Sequence, residues 1–224
     1  MIETRNIYLD RVGKYKEVYE TVYSRMDESE IYEEDTGGCS PFREDDIKKC
    51  FYAGTMGLDN PKALLTLVIY NLVADFGCNS SMEVHDLLNS DFIYGPFNQS
   101  GEPEYVQLSD RVLNMRKEKR KRKSDKIGRI ENDSGFLLGT SPVRTHLFYQ
   151  KMKTSEQLDP DQPFLLNPVR IAQQQPTEGH DWFDNLRLGK NSIAKVFKTA
   201  FLEAGVDLNG QKITLSSAKK TMQS

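Results

Sequence analysis

Apolar residues recur at helical spacing in several separate blocks. Tyr8, Val12, Tyr15, Tyr19, Val22 and Met26 follow at intervals of 4, 3, 4, 3 and 4, which predicts an amphipathic helix over residues 1–26. Such a face docks a partner helix or packs on its own domain. Gly13 weakens the helix by about 1 kcal/mol and the stripe is tyrosine-rich, so packing on its own domain is the simpler reading. Gly37-Gly38 then breaks a polar stretch, and residues 27–40 read as a linker.

Ser40-Pro41 predicts the start of a helix that runs to about Ala53 and is ended by Gly54 and Gly57. Asn60-Pro61 repeats the signal. The following stretch to residue 75, with Leu64, Leu65, Val68, Ile69, Leu72 and Val73, should be the central core helix. A short helix is expected over Glu83 to Leu88. Strands are expected around Phe92 to Tyr94 and Tyr105 to Leu108, parted by the turn-rich Asn98 to Pro103. Val143 to Met152 is helical in pattern. Residues 155–190, with four prolines and Gln173-Gln174-Gln175, should be irregular. Asn191 to Ala204 is a helix ended by Gly205, with Asn191 or Ser192 capping it. One more helix begins at Leu215 and the chain stops within it, so it should lack packing partners and the chain reads as a fragment, a degenerate product or an alternative transcript. The fold class is therefore mainly α with a small antiparallel β-sheet, an α+β domain over residues 41–224.

Composition changes this picture little: 224 residues, 38% hydrophobic and 28% charged, is ordinary globular content. The longest apolar run, Ala63 to Ala74, contains Thr66, Tyr70 and Asn71 and falls short of the ~20 residues that cross a bilayer. Three widely spaced cysteines read as reduced thiols. With His85, His146 and His180 scattered, no zinc pattern arises, and no metal or cofactor is expected.

Charge placement is more informative than the net value of −3. Asp27 to Asp46 is acidic. Residues 114–135 read as a basic surface loop, and Lys119, Arg120, Lys121, Arg122 and Lys123 are five consecutive cations. That run is a nuclear import signal, a solvated loop, or a phosphate-contacting segment with affinity but no sequence choice. No aromatic lies among these cations, so base stacking there is not expected. Gly189-Lys190-Asn191-Ser192 lacks the upstream glycine of a phosphate loop and reads as a helix start. Glu83 and His85 suggest an acid–base pair, although a structural role is the plainer reading. Trp182 should anchor the proline-rich segment.

Three segments, Gly54 to Gly77, Leu188 to Val206 and Ile213 to Met222, together resemble the tyrosine-recombinase-like domain derived from Crypton transposons. That domain is found at the C-terminus of zinc-finger MYM-type proteins. Asp161 to Pro168 falls where that family has its proline–aromatic segment. The resemblance spans residues 43–224 and implies a recombinase catalytic-domain-like fold. Such enzymes attack a DNA phosphate with a tyrosine while two arginines clamp its oxygens and a histidine assists proton transfer. At the first arginine position this chain has Asn79. At the histidine position it has Ser216, and at the second arginine position Lys219. The family's tyrosine lies beyond the second box, and the last tyrosine here is Tyr149. The resemblance thus implies a non-enzymatic, nuclear module associated with DNA or chromatin proteins; no small-molecule substrate is expected, and the short apolar runs predict no membrane span. A protein-interaction module that has lost DNA binding is the alternative.

Overall fold

The structure is a computed structural model that describes residues 38–119, 128–132, 141–169 and 181–221. The expected helix over 1–26 and the acidic stretch up to 37 lie outside the described residues. Helices and short antiparallel strands alternate, which agrees with the expected α+β class; among the described residues there are two small sheets rather than one.

Helix α1 spans Glu44–Tyr52 and begins three residues later than Ser40-Pro41 predicts. Phe42 is the reason. Its ring packs edge-on against Phe197 (5.1 Å) and Phe201 (4.8 Å). Its backbone N–H donates to Thr221 Oγ1 at 2.8 Å. These contacts hold Phe42 outside the helix, and Arg43 caps it without a side-chain bond. Glu44, Asp45 and Asp46 still occupy the first turn, at the positive end of the helix dipole. Gly54 (φ +67°) ends it as predicted.

Helix α2, Pro61–Ala74, starts where Asn60-Pro61 predicts. Asn60 accepts the Ala63 N–H, and every residue but Lys62 is buried. It is the axis of the domain. The later helices α5 (Pro142–Lys151), α6 (Lys190–Glu203) and α7 (Leu215–Thr221) all pack on it. The short α3, Ser81–His85, lies earlier than expected because the Ser80 hydroxyl accepts the Glu83 N–H and fixes the first turn there. After a 3-10 turn at Asn89–Asp91, strands β1 (Phe92–Tyr94) and β2 (Tyr105–Leu108) pair antiparallel as predicted, with Ile93 opposite Gln107.

Two stretches depart from the expected loops. Within 114–135, helix α4 (Asp110–Lys119) continues to Lys119, and Arg129–Glu131 forms β3 beside β2. Val112 and Arg116, one turn apart, are both buried, and Ile130 is buried opposite Val106. Burial on one face therefore outweighs the polar composition. Within 155–190, Leu166–Pro168 (β4) and Phe183–Arg187 (β5) pair antiparallel. Phe164, Leu165, Leu166, Trp182 and Phe183 are all buried. In a two-stranded sheet, Pro168 ends its strand without breaking a central ladder. Trp182 stands edge-on to Phe148 at 5.8 Å.

At α6 the cap is Gly189, with no side-chain bond, so neither Asn191 nor Ser192 caps it. Helix α7 does not lack partners: Leu215, Ser217 and Ala218 are buried and it lies along α2. Lys220 Nζ donates to the Cys39 carbonyl at 2.7 Å, tying α7 to the segment before α1.

Candidate functional site

The segment Phe76 to Ser80 leaves α2 through Gly77, whose φ of +69° turns the chain back toward α7. This turn presents Asn79 to the last helix. Lys219, on α7, donates from Nζ to Asn79 Oδ1 at 3.0 Å, although 140 positions separate them. Asn79 Nδ2 donates to the Gly77 carbonyl at 2.8 Å, and its backbone N–H donates to Glu83 Oε2 at 2.9 Å. The amide is therefore held at both ends. Ser216 lies one turn before Lys219 and is exposed. The fold thus brings two of the three sequence-selected positions into direct contact and leaves the third on the same short helix.

Beneath them lies a group that the sequence did not single out. The Arg116 side chain is buried; its Nε pairs with Glu83 Oε1, its Nη1 donates to the Phe76 carbonyl at 2.8 Å, and its Nη2 donates to Cys78 Sγ at 3.1 Å. Glu83 is thereby shared between Arg116 and the Asn79 backbone. It does not pair with His85, so the acid–base reading of Glu83 and His85 fails. The only sequence sign was the four-residue spacing of Val112 and Arg116, obscured by the surrounding cations.

A second cationic group gathers around Asp86. His85 Nδ1 lies 2.7 Å from Asp86 Oδ1, Arg187 Nη1 is 4.0 Å from the same oxygen, and Arg111 Nη2 donates to the Asp86 carbonyl at 3.5 Å. Arg111 is also committed to Asp91, which pairs with both its Nε and Nη2 while Ser109 donates to Asp91 Oδ1. Two arginines and a histidine are thus near one another. An internal carboxylate already sits between His85 and Arg187, and a buried aspartate takes the fork of Arg111.

Elsewhere, burial tunes several further groups. His146 is pushed down to about 3 by burial and then by the Lys153 charge; its ring stacks on Phe164 and its Nε2 meets Tyr94 Oη at 2.8 Å. Burial lowers Lys153 to about 7, and its Nζ donates to Asn89 Oδ1 and the Phe164 carbonyl. Burial raises Asp75 to about 7 and the Cys50 thiol to about 12. Such a thiol is protonated and unreactive at neutral pH.

Of the basic run, Lys119 is the last residue of α4; Arg120, Lys121, Arg122 and Lys123 lie outside the described residues. Among the described residues no group of three or more His, Cys, Asp or Glu side chains is arranged to hold a metal ion. No described helix is long and apolar enough to cross a membrane. No protein-family model, no curated protein and no solved structure matches this chain.

Proposed function

We propose that this chain is a catalytically inert descendant of the tyrosine-recombinase cleavage domain, with the corresponding fold, acting in the nucleus as a DNA- or chromatin-associated module in transcriptional regulation. One observation carries the reading. The two positions that the resemblance assigns to the phosphate-clamping arginines, Asn79 and Lys219, are in contact at 3.0 Å despite a separation of 140 residues. That proximity is what an ancestral two-arginine clamp requires, and it supports the reading.

Inertness follows from the side chains. Asn79 brings no charge. Ser216 has no group that titrates near neutrality. Lys219 is a point charge without the planar fork that grips two phosphoryl oxygens, and it spends one donor on Asn79. Losing a single transition-state donor typically costs about 10²–10³ in rate.

Association with DNA would rest on phosphate contacts, with the run Lys119 to Lys123 as the foremost element. A gel-shift titration against salt tests it. The parent chain should shift duplex DNA at low salt, and alanine at all five positions should weaken the shift and flatten its salt dependence. No shift of the parent at low salt removes the DNA reading. A tagged chain should be nuclear, and cytosolic staining with the run intact would end that part of it.

The protein-interaction reading also has an observation in its favour. Asn89, Tyr94, Phe97, Leu147, Gln150 and Leu158 line an open cleft of about 300 Å³. Phe97 and Leu158 are exposed there (63% and 40%), and Gln150 Oε1 is buried with no hydrogen-bond partner. Exposed apolar groups beside an unsatisfied acceptor suit a peptide side chain that carries an N–H.

A further inference from the structure

We propose that the outward face of α6 is a second DNA-backbone contact surface, separate from the basic run; this rests on the reading that the chain binds DNA. Helix α6 packs on α1, α2 and α3 and buries Ile193, Phe197, Ala200 and Phe201. Turning the helix by half a circle gives Asn191, Lys195, Lys198 and Leu202, at intervals of 4, 3 and 4, and all four are exposed. Lys190 is exposed at the first turn and Ser192 beside it. Among the described residues, no side chain of Lys190, Lys195 or Lys198 has an ion-pair or hydrogen-bond partner.

The helix has one acidic residue, Glu203, and it is taken by Lys62 from α2 at 2.5 Å. The lysine face therefore keeps its full charge. Lys195 and Lys198 are three residues apart, a spacing at which like charges repel by about 0.2–0.5 kcal/mol. An external anion removes that repulsion. The α1 carboxylates do not, because the nearest α1 lysines hold them: Lys48 pairs with Glu44 and Asp45, and Lys49 with Asp46.

A duplex is the occupant that matches this face. Its phosphates form a continuous row, about one charge per 1.7 Å of axis, and ammonium groups meet phosphates as point charges. Asn191 and Ser192 are short and polar and can add hydrogen bonds at the same end. An anionic membrane matches less well. A helix lying in a lipid interface interleaves its cations with large apolar residues, and the exposed side here offers Leu202 alone.

The test uses the full chain with Lys195→Gln and Lys198→Gln combined, and the alanine variant of the basic run as a separate arm. Affinity for a random duplex of about 20 bp is read from roughly 50 to 300 mM salt, where each lost phosphate contact lowers the log–log salt slope by about 1. The double variant should lower the slope by about 2 and weaken binding about 10-fold at moderate salt, with an unchanged melting temperature. A parent that binds while the double variant keeps its slope and affinity overturns the α6 surface and leaves the DNA reading standing. A parent that fails to bind at the lowest salt overturns both. Loss of binding to phosphatidylserine vesicles, with duplex binding intact, assigns the face to lipid and also overturns the proposal.

Discussion

Lys219 Nζ lies 3.0 Å from Asn79 Oδ1 and joins the final described helix to the turn that follows the core helix. The contact is half-buried and involves one charged partner, so it is worth about 1–1.5 kcal/mol. A double-mutant cycle with Asn79→Ala and Lys219→Met should return a coupling of that size in urea unfolding. Strict additivity would mean that the two side chains do not interact in solution, and the support for the shared ancestral site would go with it.

Arg116 carries more of the local structure. Removing it strands the Glu83 carboxylate and leaves the Phe76 carbonyl without its donor. Breaking a buried ion pair from one side costs about 3–5 kcal/mol. Arg116→Met should therefore lose at least 3 kcal/mol in equilibrium unfolding. Glu83→Gln, which keeps an oxygen acceptor for the Asn79 N–H, should lose less.

The difference between these two sites explains what the sequence disclosed. Asn79 and Lys219 stand out in the sequence only through the resemblance, which names positions whether or not they are buried. Arg116 was hidden because a buried arginine and a solvated one look identical inside RKEKRKRK; only tertiary burial separates them. The same holds for the elements. Asn60-Pro61, the all-apolar α2, and the alternation in Phe92 to Tyr94 are local signals, and the elements formed where they predict. The start of α1, by contrast, was decided by Phe42 reaching Phe197 and Phe201, contacts some 155 residues away along the chain. Strands β4 and β5 likewise formed despite the prolines of residues 155–190, because five neighbouring apolar side chains had a core to enter.

Phe42 should accordingly behave as a core residue rather than as part of the first turn of α1. It is 5% exposed and stacks edge-on against two phenylalanines of α6. Phe42→Ala is expected to cost about 3–5 kcal/mol. Ser40→Ala, at the position whose hydroxyl the sequence nominated as a cap, should be close to neutral. Thermal or urea unfolding of the pair decides between the two assignments of the α1 start.

Asp75 makes stability depend on pH in an unusual direction. Burial raises its folded pKa from 3.8 to about 7. Between those values the folded state holds a proton that the unfolded state has released, so this carboxyl's contribution to stability falls as pH rises from 4 to 7 and stays low above 7. His146, lowered to about 3, acts oppositely between pH 3 and 6.5 and masks the effect in the parent. Comparison with Asp75→Asn isolates it. The variant should exceed the parent by on the order of 2–4 kcal/mol at pH 8, with the gap closing toward pH 4. A gap that does not change with pH would show that Asp75 is solvated and ordinary.

The claim of inertness is tested most directly with a suicide duplex that traps covalent protein–DNA adducts. On the proposed reading the parent chain should form none, because Asn79, Ser216 and Lys219 would offer an amide, a hydroxyl and an amine where two guanidinium forks and an imidazole have to neutralise a pentavalent phosphate. The structure also identifies where that expectation is most exposed. Arg111, Arg187 and His85 converge near Asp86, within one neighbourhood of the fold. For them to act, Asp86 would have to yield its place to a phosphate and Arg111 would have to leave Asp91, a bidentate pair in which the aspartate is 1% exposed. An adduct that forms with the parent and disappears in Arg111→Lys or His85→Gln would mean that this second cluster replaces the lost clamp, and the chain would then be an enzyme. Absence of adduct in the parent, together with its persistence in Asp86→Asn, keeps the cluster structural: a set of cations already neutralised by the protein itself.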